Sequence, residues 1–221
     1  MALPKIPDYP LPTAAELPTP RAPFALAPGR AALLVHDMQR YFCAAYGSDA
    51  FTRQGSTIAA AAANIVRLLE AARAAGVPVF YTAQKGNQFR PDRGLQAALW
   101  GPGMSAIPEH EEIIPMLAPA EGDITLVKHR YSAFQRSNLA HLMRARGRDQ
   151  LIVTGIYAHI GCLATAAEAF QRDIEPFFVG DALADFSRAQ QDMALSWIAG
   201  CSGVPVITED VVQTLGIAAQ G

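Results

Sequence analysis

From residue 31 onward the chain alternates short, nearly uninterrupted apolar runs with longer segments whose apolar residues recur every three or four positions. The runs at residues 31–36, 77–82, 124–128, 151–154, 176–179 and 204–208 read as strands. Their apolarity is continuous rather than alternating, which predicts a sheet covered on both faces. Between them, residues 57–75 place Ile58, Ala62, Ile65 and Leu69 at helical spacing, with Gly76 as the stop. Further helices are predicted at about 138–146 (Gly147 following), 162–173 and 187–200. This order predicts an α/β fold: a doubly wound, Rossmann-like, mainly parallel six-stranded sheet with helices on both faces.

Residues 1–29 break the pattern. They hold eight of the sixteen prolines, which fix φ and donate no ladder hydrogen bond, so an extended arm is expected. Its apolar residues (Ile6, Tyr9, Leu11, Leu17, Phe24, Leu26) are too many for a solvated tail and predict packing on the surface of one domain at 30–221. The run Thr13-Ala-Ala-Glu16 is suited to cap a short helix there.

Composition narrows the function classes. With 221 residues and 51% hydrophobic content, one domain with one substantial core is expected. The 18 basic and 20 acidic residues give a net charge of −2 with no Lys/Arg block, arguing against nucleic-acid and membrane partners. No apolar stretch approaches the roughly 20 residues a bilayer requires, and the first residues do not read as a signal peptide. A cytoplasmic location is the expectation. Cys43, Cys162 and Cys201 form no CxxC pair, so reduced thiols are expected, with neither a disulfide nor a zinc site.

In a doubly wound sheet, ligands bind beyond the carboxyl ends of the strands, which singles out His36-Asp37, Lys128-His129-Arg130 and the stretch from Gly155 to Cys162. Burial at a strand end would raise the proton affinity of Asp37 and suit it to general acid catalysis; capping a turn is the other reading. Lys128 reads either as a solubilising charge at a sheet edge or as a cation facing a pocket, and as a cation it would oppose the effect of burial on Asp37. The strand-to-helix passage Thr154-Gly-Ile-Tyr-Ala-His-Ile-Gly-Cys162 offers backbone N–H groups to an anion. Cys162 reads as a nucleophile at a helix start or as a small buried apolar residue, and His159 as a base or a structural hydrogen-bonder.

Several longer motifs stand in one order: Leu33-Leu-Val-His-Asp-Met-Gln-Arg-Tyr-Phe42, Tyr81-Thr-Ala-Gln84, Trp100-Gly-Pro-Gly-Met104, Arg130-Tyr-Ser-Ala-Phe134, Tyr157-Ala-His-Ile-Gly161 and Asp181-Ala-Leu-Ala-Asp-Phe-Ser187. Together, from Leu3 to about Asp210, they resemble the isochorismatase family within the superfamily of cysteine hydrolases that also holds nicotinamidases. The opening Pro-Lys-Ile-Pro-Asp-Tyr-Pro looks like the arm of isochorismatases from siderophore and phenazine pathways. The resemblance implies hydrolysis of the enolpyruvyl (vinyl) ether of isochorismate, or of its 2-amino-2-deoxy analogue, to pyruvate. It implies Asp37, Lys128 and Gly161 in the chemistry, and Gln84, Arg93, Trp100, Tyr131 and Tyr157 around the substrate.

In amidase relatives the third catalytic position is a cysteine; here it falls on Gly161, and Cys162 lies about 100° further round a helix. Gln84-Lys-Gly-Asn-Gln stands where metal-dependent relatives place Asp and His ligands, so neither metal nor cofactor is implied. A small-molecule substrate and a homodimer are. His129 replaces the tryptophan usual beside the lysine in the pathway enzymes, and no appended carrier domain is expected. Two other readings remain: a cysteine amidase using Cys162, and a binding protein that kept the fold without catalysis.

Overall fold

The computed structural model describes residues 3–218. Six strands, β1 (Ala31–His36), β2 (Val79–Ala83), β3 (Ile124–Val127), β4 (Gln150–Ile156), β5 (Glu175–Ala184) and β6 (Val204–Val206), form one parallel sheet in the order β3-β2-β1-β4-β5-β6. The chain winds outward from β1 to β3 and then restarts from β4, so the switch point lies between β1 and β4. The main helices are α1 (Thr57–Ala74), α2 (Leu139–Ala145), α3 (Leu163–Phe170), α4 (Arg188–Cys201) and α5 (Thr208–Ala218).

Strand periodicity divides the core. Ala31, Leu33 and Val35 of β1 join Ile58, Ile65, Leu69, Val211 and Leu215 of α1 and α5 on one face. Ala32 and Leu34 join residues of α2, α3 and α4, among them Met143, Ala166 and Ile198, on the other. Successive residues point to opposite faces, and both faces are covered, which is why β1 and β4 read as continuous apolar runs.

The fold class is the one expected, and the element bounds differ for local reasons. Gly76 adopts φ +65° and the Val77 N–H donates to Ala72 O at 2.8 Å, so Val77 closes α1 and β2 starts at Val79. β5 runs on to Ala184 instead of stopping at 179, because a register shift opposite Val153–Gly155 lets it continue beside the end of β4. β6 ends at Val206, short of 208, since Thr208 opens α5, which was not expected. Its N–H and hydroxyl donate to the Asp181 carboxylate at 2.7 and 2.8 Å. The helix expected at 162–173 is a π turn, Ala158–Cys162, followed by α3, closed where Asp173 turns to φ +60°.

The arm lies on this body. Ile6 is buried in the core and its N–H donates to Ala45 O. Asp8 pairs with Arg53 at 2.6 Å, and the Tyr9 N–H donates to Thr57 Oγ1 at 2.7 Å. Thr13 and Glu16 form a capping box on the turn Ala14–Glu16. Among the described residues no helix is long and apolar enough to cross a membrane.

Gly155 shows how closely the strands meet at the switch point. It sits at φ +105°, paired with His36, and a Cβ there would stand 2.2 Å from the His36 carbonyl oxygen. Gly155→Ala should therefore destabilise the fold by at least about 2 kcal/mol, read as a lower urea midpoint, while alanine at Gly122 (also positive φ, nothing within 4 Å) should cost about 1 kcal/mol.

Candidate active site

The chemistry-bearing residues lie where three parallel strands end. After β1 the chain turns sharply at Asp37, a non-glycine residue at φ +51° and one that tolerates this region better than most. The turn is held by the Asp37 N–H donating to Thr82 Oγ1 at 3.1 Å, while the same hydroxyl donates to Asp37 Oδ1 at 2.7 Å. Lys128, just past β3, places Nζ 2.5 Å from Asp37 Oδ2, and the two are only 3% and 5% exposed. Gln84, after β2, directs Nε2 to Asp37 Oδ2 at 3.4 Å. Its backbone is fixed by Gln39, which accepts from Gln84 N–H and donates to Gln84 O.

Burial pushes the Asp37 carboxyl up, but the Lys128 ammonium, His36 and the hydrogen bonds from Lys128 and Thr82 together hold it below its ordinary value. The opposition left open by the sequence is thus decided for the ionised form. His36 is lowered too: burial, opposed by Asp37 and reinforced by Lys128, brings it to about 4, so the ring is neutral near pH 7.

The same cavity takes in the other expected residues. It is lined by Asp37, Gln84, Arg93, Trp100, Lys128, Tyr131, Tyr157 and Gly161, along with residues to which no role had been assigned. Arg93 donates from Nε to Gly101 O at 2.7 Å and lies against Gly103, where a Cβ would meet Nη1 at 2.7 Å; the glycine makes room for the guanidinium. Trp100 Nε1 donates to the Tyr131 hydroxyl at 2.7 Å, and the Tyr157 hydroxyl donates to Phe42 O at 2.8 Å. Phe186 packs edge-on against Tyr157 and Trp100 at ring separations of 4.5 and 6.3 Å.

A family model described as the isochorismatase domain matches residues 31–210. The chain belongs to the isochorismatase family. Among curated relatives, the isochorismatase of Bacillus subtilis (strain 168) is 49% identical over 215 residues, covering 97% of this chain and 67% of its own. The phenazine biosynthesis protein PhzD1 of Pseudomonas aeruginosa is 46% identical over 211 residues, with 96% and 99% covered. Among solved structures, a cysteine hydrolase from Pseudomonas syringae pv. phaseolicola superposes with a TM-score of 0.79 at 29% identity, over 91% of this chain and 98% of that one. The chain is accordingly a hydrolase of the isochorismatase type.

Against that kinship, the end of the π turn is informative. Gly161 lines the cavity, and a Cβ on it would stand 2.3 Å from His36 Cε1. The imidazole occupies the space a side chain at this position would need. Cys162 is fully buried on the other side, among Ala158, Ala166 and Phe178, and burial raises its thiol well above the ordinary value. It does not line the cavity. His159 likewise points elsewhere, with Nδ1 2.5 Å from the buried Asp185 carboxylate, and His129 is half-buried outside the lining.

Leu3, Phe42, Gly103 and Phe186 also line the cavity without having been assigned a role, and His36 had been marked only as part of the strand end at Asp37. His36 contacts carbonyls of two separate segments, Nδ1 lying 2.9 Å from Ile156 O at the end of β4 and Nε2 3.3 Å from Tyr131 O after β3. Its place in an apolar strand masked this. Gly103 and Phe186 belong to motifs visible in the sequence.

The Asp37 shift sets a pH dependence of stability. Its folded value lies below the unfolded value of about 3.9, so its ionised form contributes stability that is fully present above that value and is lost as pH falls through the folded one. Relative to Asp37→Asn, the parent should lose unfolding free energy as pH drops below about 4. Urea titrations of both proteins across this range give the comparison.

Proposed function

We propose that Asp37 and Lys128 hydrolyse the enolpyruvyl ether of isochorismate to 2,3-dihydro-2,3-dihydroxybenzoate and pyruvate by general acid catalysis. The observation that carries this reading is the buried Asp37–Lys128 pair in a cavity whose nucleophile position is a glycine covered by the His36 ring. A vinyl ether needs a proton on its terminal carbon, not a thiolate. Asp37 rests ionised, so substrate binding supplies the change: a dicarboxylate drawn to Lys128 and Arg93 brings negative charge and displaces water, and both raise the proton affinity of Asp37. The protonated carboxyl then gives its proton to the methylene carbon. Water adds to the oxocarbenium ion, its proton returns to Asp37, and the hemiketal breaks to pyruvate and the diol. The Arg93 guanidinium and the Gly161 N–H hold carboxylate and oxygen atoms, while Gln84, Trp100, Tyr131 and Tyr157 shape the pocket.

The same reaction on 2-amino-2-deoxyisochorismate is the second reading, supported by the likeness to PhzD1. Charge favours the first. Among the described residues that line the cavity, Asp37 is the one carboxylate and is engaged by Lys128, so an ammonium on the ring would meet Lys128 and Arg93 without a free partner. We also read the chain as a cytoplasmic homodimer built of an arm (1–29) packed on one hydrolase domain (30–221). The exposed Leu95 and Leu99, one helical turn apart, support an association surface, and light scattering tests it.

Pyruvate release coupled to lactate dehydrogenase measures the chemistry. Asp37→Asn should fold and lose about 10²- to 10⁴-fold in kcat, and Lys128→Ala should be severely impaired. Turnover of Asp37→Asn near the parent rate would remove the proposed acid.

Cys162→Ala should keep most of the activity apart from a modest packing loss, with no covalent adduct by intact mass during turnover. Isochorismate should show a higher kcat/KM than its 2-amino analogue. In H₂¹⁸O the diol should retain its original oxygen, since the bond broken lies on the enolpyruvyl side; label in the diol would point to attack on the ring carbon instead.

A further inference from the structure

Outside the residues matched by the family model, the start of the arm reaches the cavity. Leu3 lines it together with Phe42, Tyr157 and Phe186, although 28 positions separate it from the first matched residue. The next residues of the arm fix its position. Ile6 is locked into the core, Asp8 is paired with Arg53 and accepts the Thr57 N–H, and Tyr9 exchanges hydrogen bonds with Thr57 through its N–H and carbonyl. The Tyr9 hydroxyl then accepts from the Asp185 N–H at 2.6 Å and donates to Gln191 Oε1 at 2.7 Å. Asp185 in turn holds the Phe186 N–H at 2.8 Å, and Phe186 is a wall of the cavity.

The arm therefore touches the pocket twice, directly through Leu3 and through Tyr9 acting on the Asp185–Phe186 turn. We propose that the N-terminal arm is a working part of the substrate site, with Leu3 as an apolar wall over the bound substrate and Tyr9 as a positioning residue for Phe186. The chemistry asks for such a wall. An apolar cover strengthens the charge interactions that raise the proton affinity of Asp37 and limits the water that reaches the cation. The substrate assignment rests on the reading above; the wall does not.

The test separates the two by using a readout that needs no turnover. In a Trp197→Phe background, Trp100 is the remaining tryptophan and lines the same cavity, so acrylamide quenching of its emission reports access to the pocket. Leu3→Ala should raise the quenching constant and lower kcat/KM about fivefold, and Leu3→Met should restore both. Tyr9→Phe, which keeps the ring and removes the hydroxyl, should raise quenching as well and lower kcat. Circular dichroism and thermal melts confirm that each variant is folded. Parent-like quenching in Leu3→Ala and Tyr9→Phe overturns the proposal whatever the kinetics show. A parent that does not turn over isochorismate defeats the substrate reading alone, and the quenching result still decides the arm.

Discussion

Asp37 and Lys128 leave strands that are not neighbours, with β2 between them, and yet their charged atoms meet at 2.5 Å with almost no access to water. Taking two charges out of water costs several kcal/mol per ion, and close contact recovers this only when the remaining hydrogen-bonding capacity is also met. The sheet provides it. Because β1, β2 and β3 are parallel, their carboxyl ends open on the same edge, and each contributes a group: Asp37 from the first, Thr82 and Gln84 from the second, Lys128 from the third. The left-handed turn at Asp37 and the buried Gln39 clamp on Gln84 follow from the need to keep this cluster closed.

That dependence explains the electrostatic state of the site. A lone carboxyl at this depth would take up a proton; the ammonium beside it holds Asp37 ionised. In the mechanism proposed above, proton delivery to carbon requires an incoming group that competes for Lys128. A dicarboxylic substrate is such a group, and on that proposal the step that binds it also arms the acid. The neutral His36 ring, 3.8 Å from Asp37, completes the cluster without adding a second positive charge.

Much of this was legible in the sequence. Continuous apolar runs, helical spacing and stop glycines are local signals, and they located the sheet, four of the longer helices and the strand-end positions of Asp37 and Lys128. The direction of the Asp37 shift was not, because burial and a nearby cation oppose each other and only the distance decides. α5 was missed although Thr208-Glu-Asp is a helix-start pattern with an acidic first turn; the apolar run before it drew the residue into β6. The helical turns Arg90–Arg93 and Leu95–Trp100, which carry Arg93 and Trp100, are too short to show a period. Leu3 and Phe186 reach the pocket through contacts far apart in sequence, and no local pattern encodes those.

His36 and Gly161 bear on how one scaffold supports two chemistries. Their side-chain volumes are not independent: the imidazole lies where the Cβ of any other residue at 161 would fall. A cysteine there, as in the amidases this chain resembles, would need a smaller or displaced group at position 36, and that group's loss would free the carbonyls of Ile156 and Tyr131 that the ring now faces. Those carbonyls belong to the end of β4, next to Tyr157, and to Tyr131 itself, so the pocket walls would move with the change. A single substitution that introduces the nucleophile therefore disturbs the site it is meant to serve. Exchange between nucleophilic and acid chemistry on this fold requires at least two coupled changes, one at the end of β1 and one after β4, and the buried acid–amine pair can persist through both because neither position supplies its charges.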